Sequence, residues 1–377
     1  MEGPMFATLS GVAPGVDGFS PVFSDMKILI TGIAGFVGSR LALGLKDRHP
    51  EWSIIGIDNL SRRGSETNLS ALRARDIHFI HGDVRNREDI DELPPAEWLI
   101  DCAANPSVLA GVDGGSSQVV QHNLVGTLNL LEKCRRETCG FLMLSTSRVY
   151  SIDALAQIPI VVGVDRFDPC TRGRLPAGFS ANGISEIFPT SAPISLYGAT
   201  KLASEVMALE YGSAFGFPVW INRCGVLAGA GQFGKIDQGI FSFWIYQWLL
   251  RRPLSYIGFG GEGYQVRDLL GPDDLLNLLL MQIADPSRVK TRILNVGGGS
   301  VSSLSLRELS NYCEQRFGPK HIESSPETRS FDIPYYVTDN ALASATWGWY
   351  PQRTAWDVLD EIAVWAEANR GFIGNGF

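Results

Sequence analysis

A chain of 377 residues with 45% hydrophobic and 19% charged residues holds ample apolar material for a core and is not a disordered polymer. A formal net charge of −8 excludes a broad basic face for nucleic acid or an anionic membrane, while leaving room for a local basic pocket. No stretch approaches the roughly 18 consecutive apolar residues of a membrane-spanning helix, and six cysteines without a C-x-x-C pair read as reduced thiols rather than disulfides or zinc ligands.

Residues 1–25 carry no Lys or Arg and are broken by Gly and Pro, so they read as a flexible N-terminal extension of a cytoplasmic protein rather than a secretory signal. "KILITG" (27–32) then predicts a strand, followed by a glycine-punctuated turn and a helical pattern from Phe36. Further strands are expected at 53–59, 77–83, 98–104, 140–146 and 218–223, with helices at 118–137 and 197–215 between them. Apolar strands alternating with amphipathic helices imply βαβ units, hence an α/β fold with a doubly wound parallel sheet of Rossmann type over 26–223. From residue 224 to 377 the pattern shifts to a smaller, mainly helical C-terminal lobe, with helices at 237–251, 272–284, 304–317 and 354–369. The long segment 151–195 reads as an irregular loop arching over the junction.

"TGIAGFVG" (31–38) places Gly32, Gly35 and Gly38 directly after a strand and at a helix start. A tight turn needs Gly32, close approach of a pyrophosphate needs Gly35, and helix–strand packing needs Gly38. Asp58 ends the next strand, where a carboxylate accepts from both hydroxyls of an adenosine ribose and repels a 2′-phosphate, favouring NAD. Arg62 and Arg63 follow and would suit that phosphate instead. "GDV" (82–84) is either an adenine contact or a solvated loop. In "YGATKLASE" (197–205), Tyr197 and Lys201 stand four apart on one helix face, where an ammonium lowers the acidity constant of a phenol. Alone, such a pair is usually a solvated face. Here it follows a dinucleotide motif and a strand ending in Ser145-Thr146, whose hydroxyl would meet the reacting oxygen.

T-G-x-x-G-F-x-G, the strand-end acid, "ST" before "VY", and Y-G-x-x-K together resemble the extended short-chain dehydrogenase/reductases, from Met26 onward. "IDNLSRRGSETNLSALR" (57–73), "LSTSRVYS" (144–151), "GQFGKIDQGIFSFW" (231–244) and "GGEGYQVRDLL" (260–270) look most like the CDP-paratose 2-epimerases (CDP-tyvelose epimerases). That resemblance implies Thr146, Tyr197 and Lys201 as the catalytic set and NAD as cofactor. It places cofactor contacts on Phe36, Val37, Asn59, Ser61 and Arg62, on Asp83 and Val84, and on Ala103 and Ala104. Asn123, Ser145 and Arg223 complete them. Nucleotide-sugar contacts fall on Asn105, Arg148, Gln232, Arg267 and Arg329. A guanidinium such as Arg267 suits a diphosphate by its bidentate geometry. The resemblance also implies a homodimer through the helices at 116–137 and from Tyr197. The chain departs from the pattern at Ser151, Cys224 and Ala228-Gly229, and 151–189 does not align with it.

The expected reaction is inversion of a sugar carbon by transient oxidation to a ketone and re-reduction, at C2 of a CDP-linked dideoxyhexose. A 4,6-dehydratase would need an Asp-Glu pair where Ser147 and Arg148 stand. A UDP-sugar 4-epimerase is the alternative, a keto-sugar reductase ranks below it, and a non-catalytic dinucleotide sensor belongs to another class. No metal site is expected from the five scattered histidines.

Overall fold

The structure is a computed structural model that describes residues 25–374 apart from 110, 113, 235–237 and 289–290. All but the last residue of the expected N-terminal extension lies outside the described residues. Eight strands organise the rest: β1 (Lys27–Thr31), β2 (Ser53–Asp58), β3 (His78–His81), β4 (Trp98–Asp101), β5 (Gly140–Thr146), β6 (Val219–Cys224), β7 (Val266–Leu270) and β8 (Ile293–Val296). Seven form a wholly parallel sheet in the order β8-β6-β5-β4-β1-β2-β3. Short apolar runs without alternation suit strands covered on both faces. Ile28 and Ile30 of β1 enter one core layer and Leu29 the opposite one, as the two-residue period requires.

The helices are α1 (Phe36–Arg48), α2 (Ser116–Val120, then a π-helical turn at Gln121–Val125, then Gly126–Glu137), α3 (Ser195–Phe215), α4 (Ile240–Leu249), α5 (Pro272–Ala284), α6 (Leu306–Phe317) and α7 (Ala355–Ala368). Among the described residues, no helix is long and apolar enough to cross a membrane. The strand order reverses between β1 and β4, and Thr31 Oγ1 fixes that point. It donates to Asp101 (2.7 Å) and accepts the amides of Cys102 and Ala103. Ligands of doubly wound sheets bind at such a reversal, outside the carboxyl ends of the strands.

The chain does not leave the sheet for good at residue 223. β8 pairs with β6 in register Ile221↔Ile293, and Leu276 of α5 packs over Gly44 of α1. Trp347 meets Trp220 edge-on at 5.2 Å, so the C-terminal stretch also returns to the sheet core. The second lobe gathers α4, α6 and α7 around Trp244, Trp248, Leu309, Leu359 and Ile362. It carries small sheets as well, with β7 flanked by 226–227, 303–305 and 335–336.

Segment 151–195 is not irregular. It holds a short helix (Ile152–Ala156) and two antiparallel strand pairs (Ile160–Val162 with Phe167–Pro169, and Phe179–Ser180 with Gly183–Ile184). Its Leu155, Phe179, Ile184 and Phe188 form a core with Tyr335, Tyr336 and Val337 of the second lobe. Arg166 donates to Ser303, and Phe167 packs edge-on against Phe259 and Tyr264. The alternating signal is weak because these strands are two or three residues long.

Candidate active site

A cleft of 680 Å³ runs along the carboxyl ends of β1, β2, β4 and β5 and is closed from the other side by the second lobe. Its first wall is backbone. Gly32 adopts φ +64°, a left-handed conformation, and a side chain there would press on Ala103 at 3.1 Å. A Cβ on Gly38 would lie 2.2 Å from the Gly32 carbonyl oxygen. The first turn of α1 has neither a side-chain cap nor an acidic residue, so its amides and dipole remain available to an anion. Gly32, Gly35, Phe36, Val37 and Gly38 all line this stretch.

Asp58 stands at the end of β2 and borders the cleft, accepting amides from Ala34 (3.0 Å) and Leu60 (2.8 Å). Burial raises its carboxyl above the ordinary range against the pull of those amides. Asn59, Ser61, Val84, Ala103 and Ala104 also border the cleft. Arg62 does too, but its guanidinium spans to the other lobe, donating to the Phe233 carbonyl (2.6 Å) and to Gln238. Asp83 lies behind the lining, where Asn59 (2.9 Å) and Arg85 (2.6 Å) bond its carboxylate. The bond to Arg85 holds that carboxyl well below its ordinary value. A glycine cradle, an uncapped helix start and a strand-end acid suit a dinucleotide with free ribose hydroxyls.

At the centre of the cleft, Thr146 ends β5 and Tyr197 opens α3, both nearly buried. The Thr146 hydroxyl accepts the Arg148 amide at 3.1 Å, which leaves its proton to be donated elsewhere. Burial pushes the Tyr197 phenol up to about 12; Thr146 and the Arg148 charge oppose that rise, and Cys224 adds to it. Lys201 is 2% exposed, one turn along from Tyr197. Its charge acts on Cys102 and Cys224, whose thiols burial drives upward. The expected effect of Lys201 on the phenol is therefore not the one seen: among the described residues, Arg148 is the cation acting on Tyr197.

The second wall is made of side chains. Arg148, Gln232, Arg267 and Arg329 line it. Arg267 donates to Asp332 (3.0 Å) and to the Ile333 carbonyl (2.7 Å), and burial pulls its guanidinium down to about 10 despite Asp332. Gln232 is held by Ser242 and the Leu227 carbonyl. Arg329 has no ion-pair partner among the described residues. Asn105 is not in the lining; Asn123 grips its backbone amide at 2.8 Å and also donates to Thr200 of α3.

Residues 28–297 match the model of the NAD dependent epimerase/dehydratase family. The chain belongs to that family. It is thus an NAD-dependent enzyme. It is similar to the CDP-paratose 2-epimerase of Salmonella typhi, 29% identical across 91% of this chain and 100% of the relative. It is also similar to the UDP-glucuronate 4-epimerase of Thermodesulfobacterium geofontis, 26% identical across 90% of this chain and 96% of the relative. A solved UDP-glucuronic acid 4-epimerase from Bacillus cereus, in complex with UDP-glucuronic acid and NAD, shares the fold. Its TM-score is 0.71 at 24% identity, covering 91% of this chain and 99% of that one.

For this family member, the sequence reading missed one group behind the site. Glu205, on the Tyr197–Lys201 helix, accepts from Ser145 (2.5 Å) and pairs with Arg223 (2.7 Å). Arg223 in turn reaches the Tyr150 hydroxyl, which donates to Asn295. Burial opposes the Arg223 charge, yet Glu205 carries it above its ordinary value. The side chains of Ser145 and Arg223 are therefore committed to this network and not to the cleft. The signal was present: Lys201 and Glu205 repeat the i, i+4 spacing of Tyr197 and Lys201.

Proposed function

We propose that this chain is a nucleotide-sugar epimerase that inverts a carbinol carbon through a transient ketone. Bound NAD+ supplies the hydride acceptor and, on the return, the hydride donor. Gly32, Gly35 and Gly38 with the first turn of α1 would hold its pyrophosphate, and Asp58 a ribose. Tyr197 takes the proton of the sugar hydroxyl and later returns it, while Thr146 donates to the same oxygen. Lys201 follows one turn along and faces the cofactor side. Arg267 and Arg329 hold the diphosphate, with Gln232 beside them. A cleft of 680 Å³ leaves room for the planar ketone to present its other face.

One observation carries this over a dehydratase. Ser147 and Arg148 border the cleft directly after Thr146, so a hydroxyl and a guanidinium occupy the place where elimination needs carboxyl groups. The CDP-paratose 2-epimerase likeness favours C2 of a CDP-linked dideoxyhexose; the UDP-glucuronate 4-epimerase likeness supports C4 of a UDP-sugar as a second reading. We further infer a cytoplasmic homodimer through α2 and α3, which the exposed Val120, Val206 and Phe215 support.

The test is incubation of the purified enzyme with CDP-paratose and, separately, UDP-glucuronate, followed by proton NMR without added cofactor. Interconversion of the CDP-linked epimers is expected, with the hydrogen at the inverted carbon retained. Turnover of UDP-glucuronate alone would favour the second reading, and loss of water would overturn both. Tyr197→Phe should lower turnover by about 10²–10⁴-fold while the protein still co-purifies with NAD.

A further inference from the structure

Arg148 follows Thr146 by two residues in a short 3₁₀ turn (Ser147–Val149), and its backbone is fixed from two sides. Its amide donates to the Thr146 hydroxyl at 3.1 Å, and its carbonyl lies where a Cβ on Gly198 would stand, 2.2 Å away. Gly198 is the neighbour of Tyr197, so α3 can approach this turn only because that position has no side chain. The guanidinium enters the cleft and donates to the Phe331 carbonyl at 3.3 Å. No ion pair within 4 Å fixes it among the described residues, in contrast to Arg267, which holds Asp332.

We propose that Arg148 is a positioning residue for proton transfer, a fixed cation that stabilises the anionic form of Tyr197 at the same turn that orients Thr146. The inference rests on the proton-transfer role proposed above for Tyr197. The charged and titratable groups around the pair come from every neighbouring element. Asp332 and Arg267 act on Arg148 from the second lobe, as does Tyr336 from the strand beside β7. Cys224 of β6 acts on Tyr197 and raises its phenol, and Lys201 extends from the next turn of α3. Of these cations, only Arg148 acts on the phenol, and it opposes the effect of burial. Positive charge held close favours phenolate, and in a partly desolvated cleft that field is weakly screened. A lysine would supply the same charge without the planar fork.

The experiment needs no sugar. The protein is saturated with NAD+ and titrated by the ultraviolet absorbance of phenolate; subtracting the Tyr197→Phe trace isolates one phenol. Each Arg148 variant is paired with its own Tyr197→Phe double variant. In Arg148→Gln the midpoint should rise by about one pH unit, and in Arg148→Lys it should stay within about half a unit of the parent. An unchanged midpoint in Arg148→Gln overturns the proposal. So does an equal rise in both variants, which would make the effect one of shape rather than charge. Failure to find an epimerised sugar would defeat the reading of function and leave this titration standing.

Discussion

The two walls of the cleft are built from different materials. On the cofactor side, the main features are the missing side chains at Gly32 and Gly38 and the open amides at the start of α1. On the substrate side, the features are long side chains from distant segments: Arg148 after β5, Arg267 in β7, and Arg329 close to Asp332. A backbone wall has one shape set by the fold and tolerates almost no addition. A side-chain wall can be altered one group at a time, because each guanidinium is an independent contact. The difference teaches where a family keeps its chemistry constant and where its specificity can drift.

The comparison can be broken most forcefully from behind the cofactor wall. Glu205→Ala leaves the Arg223 guanidinium buried and unpaired, and should cost about 3–5 kcal/mol of stability, read as a lowered urea midpoint. A loss no larger than that of an exposed pair would mean the network is not structural. Gly38→Ala comes next. Its Cβ meets the Gly32 carbonyl at 2.2 Å, and overpacking of this kind costs about 1–3 kcal/mol. The larger consequence should be loss of co-purifying dinucleotide, measured by the absorbance and mass of the released cofactor. Retention of a full complement of NAD would contradict a rigid backbone wall. Arg267→Lys should have the smallest effect, raising KM for the nucleotide sugar by roughly tenfold with kcat little changed, since a bidentate contact becomes a point charge. A fall in kcat at constant KM would move Arg267 from binding to the reaction itself.

The same contrast decides what the sequence made legible. Glycine spacing after a strand reports a backbone requirement, and the strand–turn–helix at 27–48 follows from it directly. Tyr197, Lys201 and Thr146 were readable because a helix face and a strand end are local facts. Partnerships formed across the fold were not. Arg62 looked like a phosphate ligand beside Asp58, yet it reaches across to Phe233, 171 residues away in sequence. Arg223 and Ser145 looked like cofactor contacts because they end neighbouring strands, and both are held by Glu205. The return of residues 293–296 to the sheet escaped notice because four apolar residues carry no label for their neighbour.

That return has a mechanical consequence. The polypeptide passes between the sheet and the second lobe at β6, at β7–α5, at β8, and again beyond Trp347. Segment 151–195 stitches the same seam from the opposite direction. Two bodies joined by one strand of chain can swing like a door; two bodies laced this often behave as a single casting. An epimerase must show both faces of one carbon to the same hydride donor, so something has to turn over between the half-reactions. In a casting the walls stay put, and the tumbling falls to the sugar, pivoting about a diphosphate anchored at its far end.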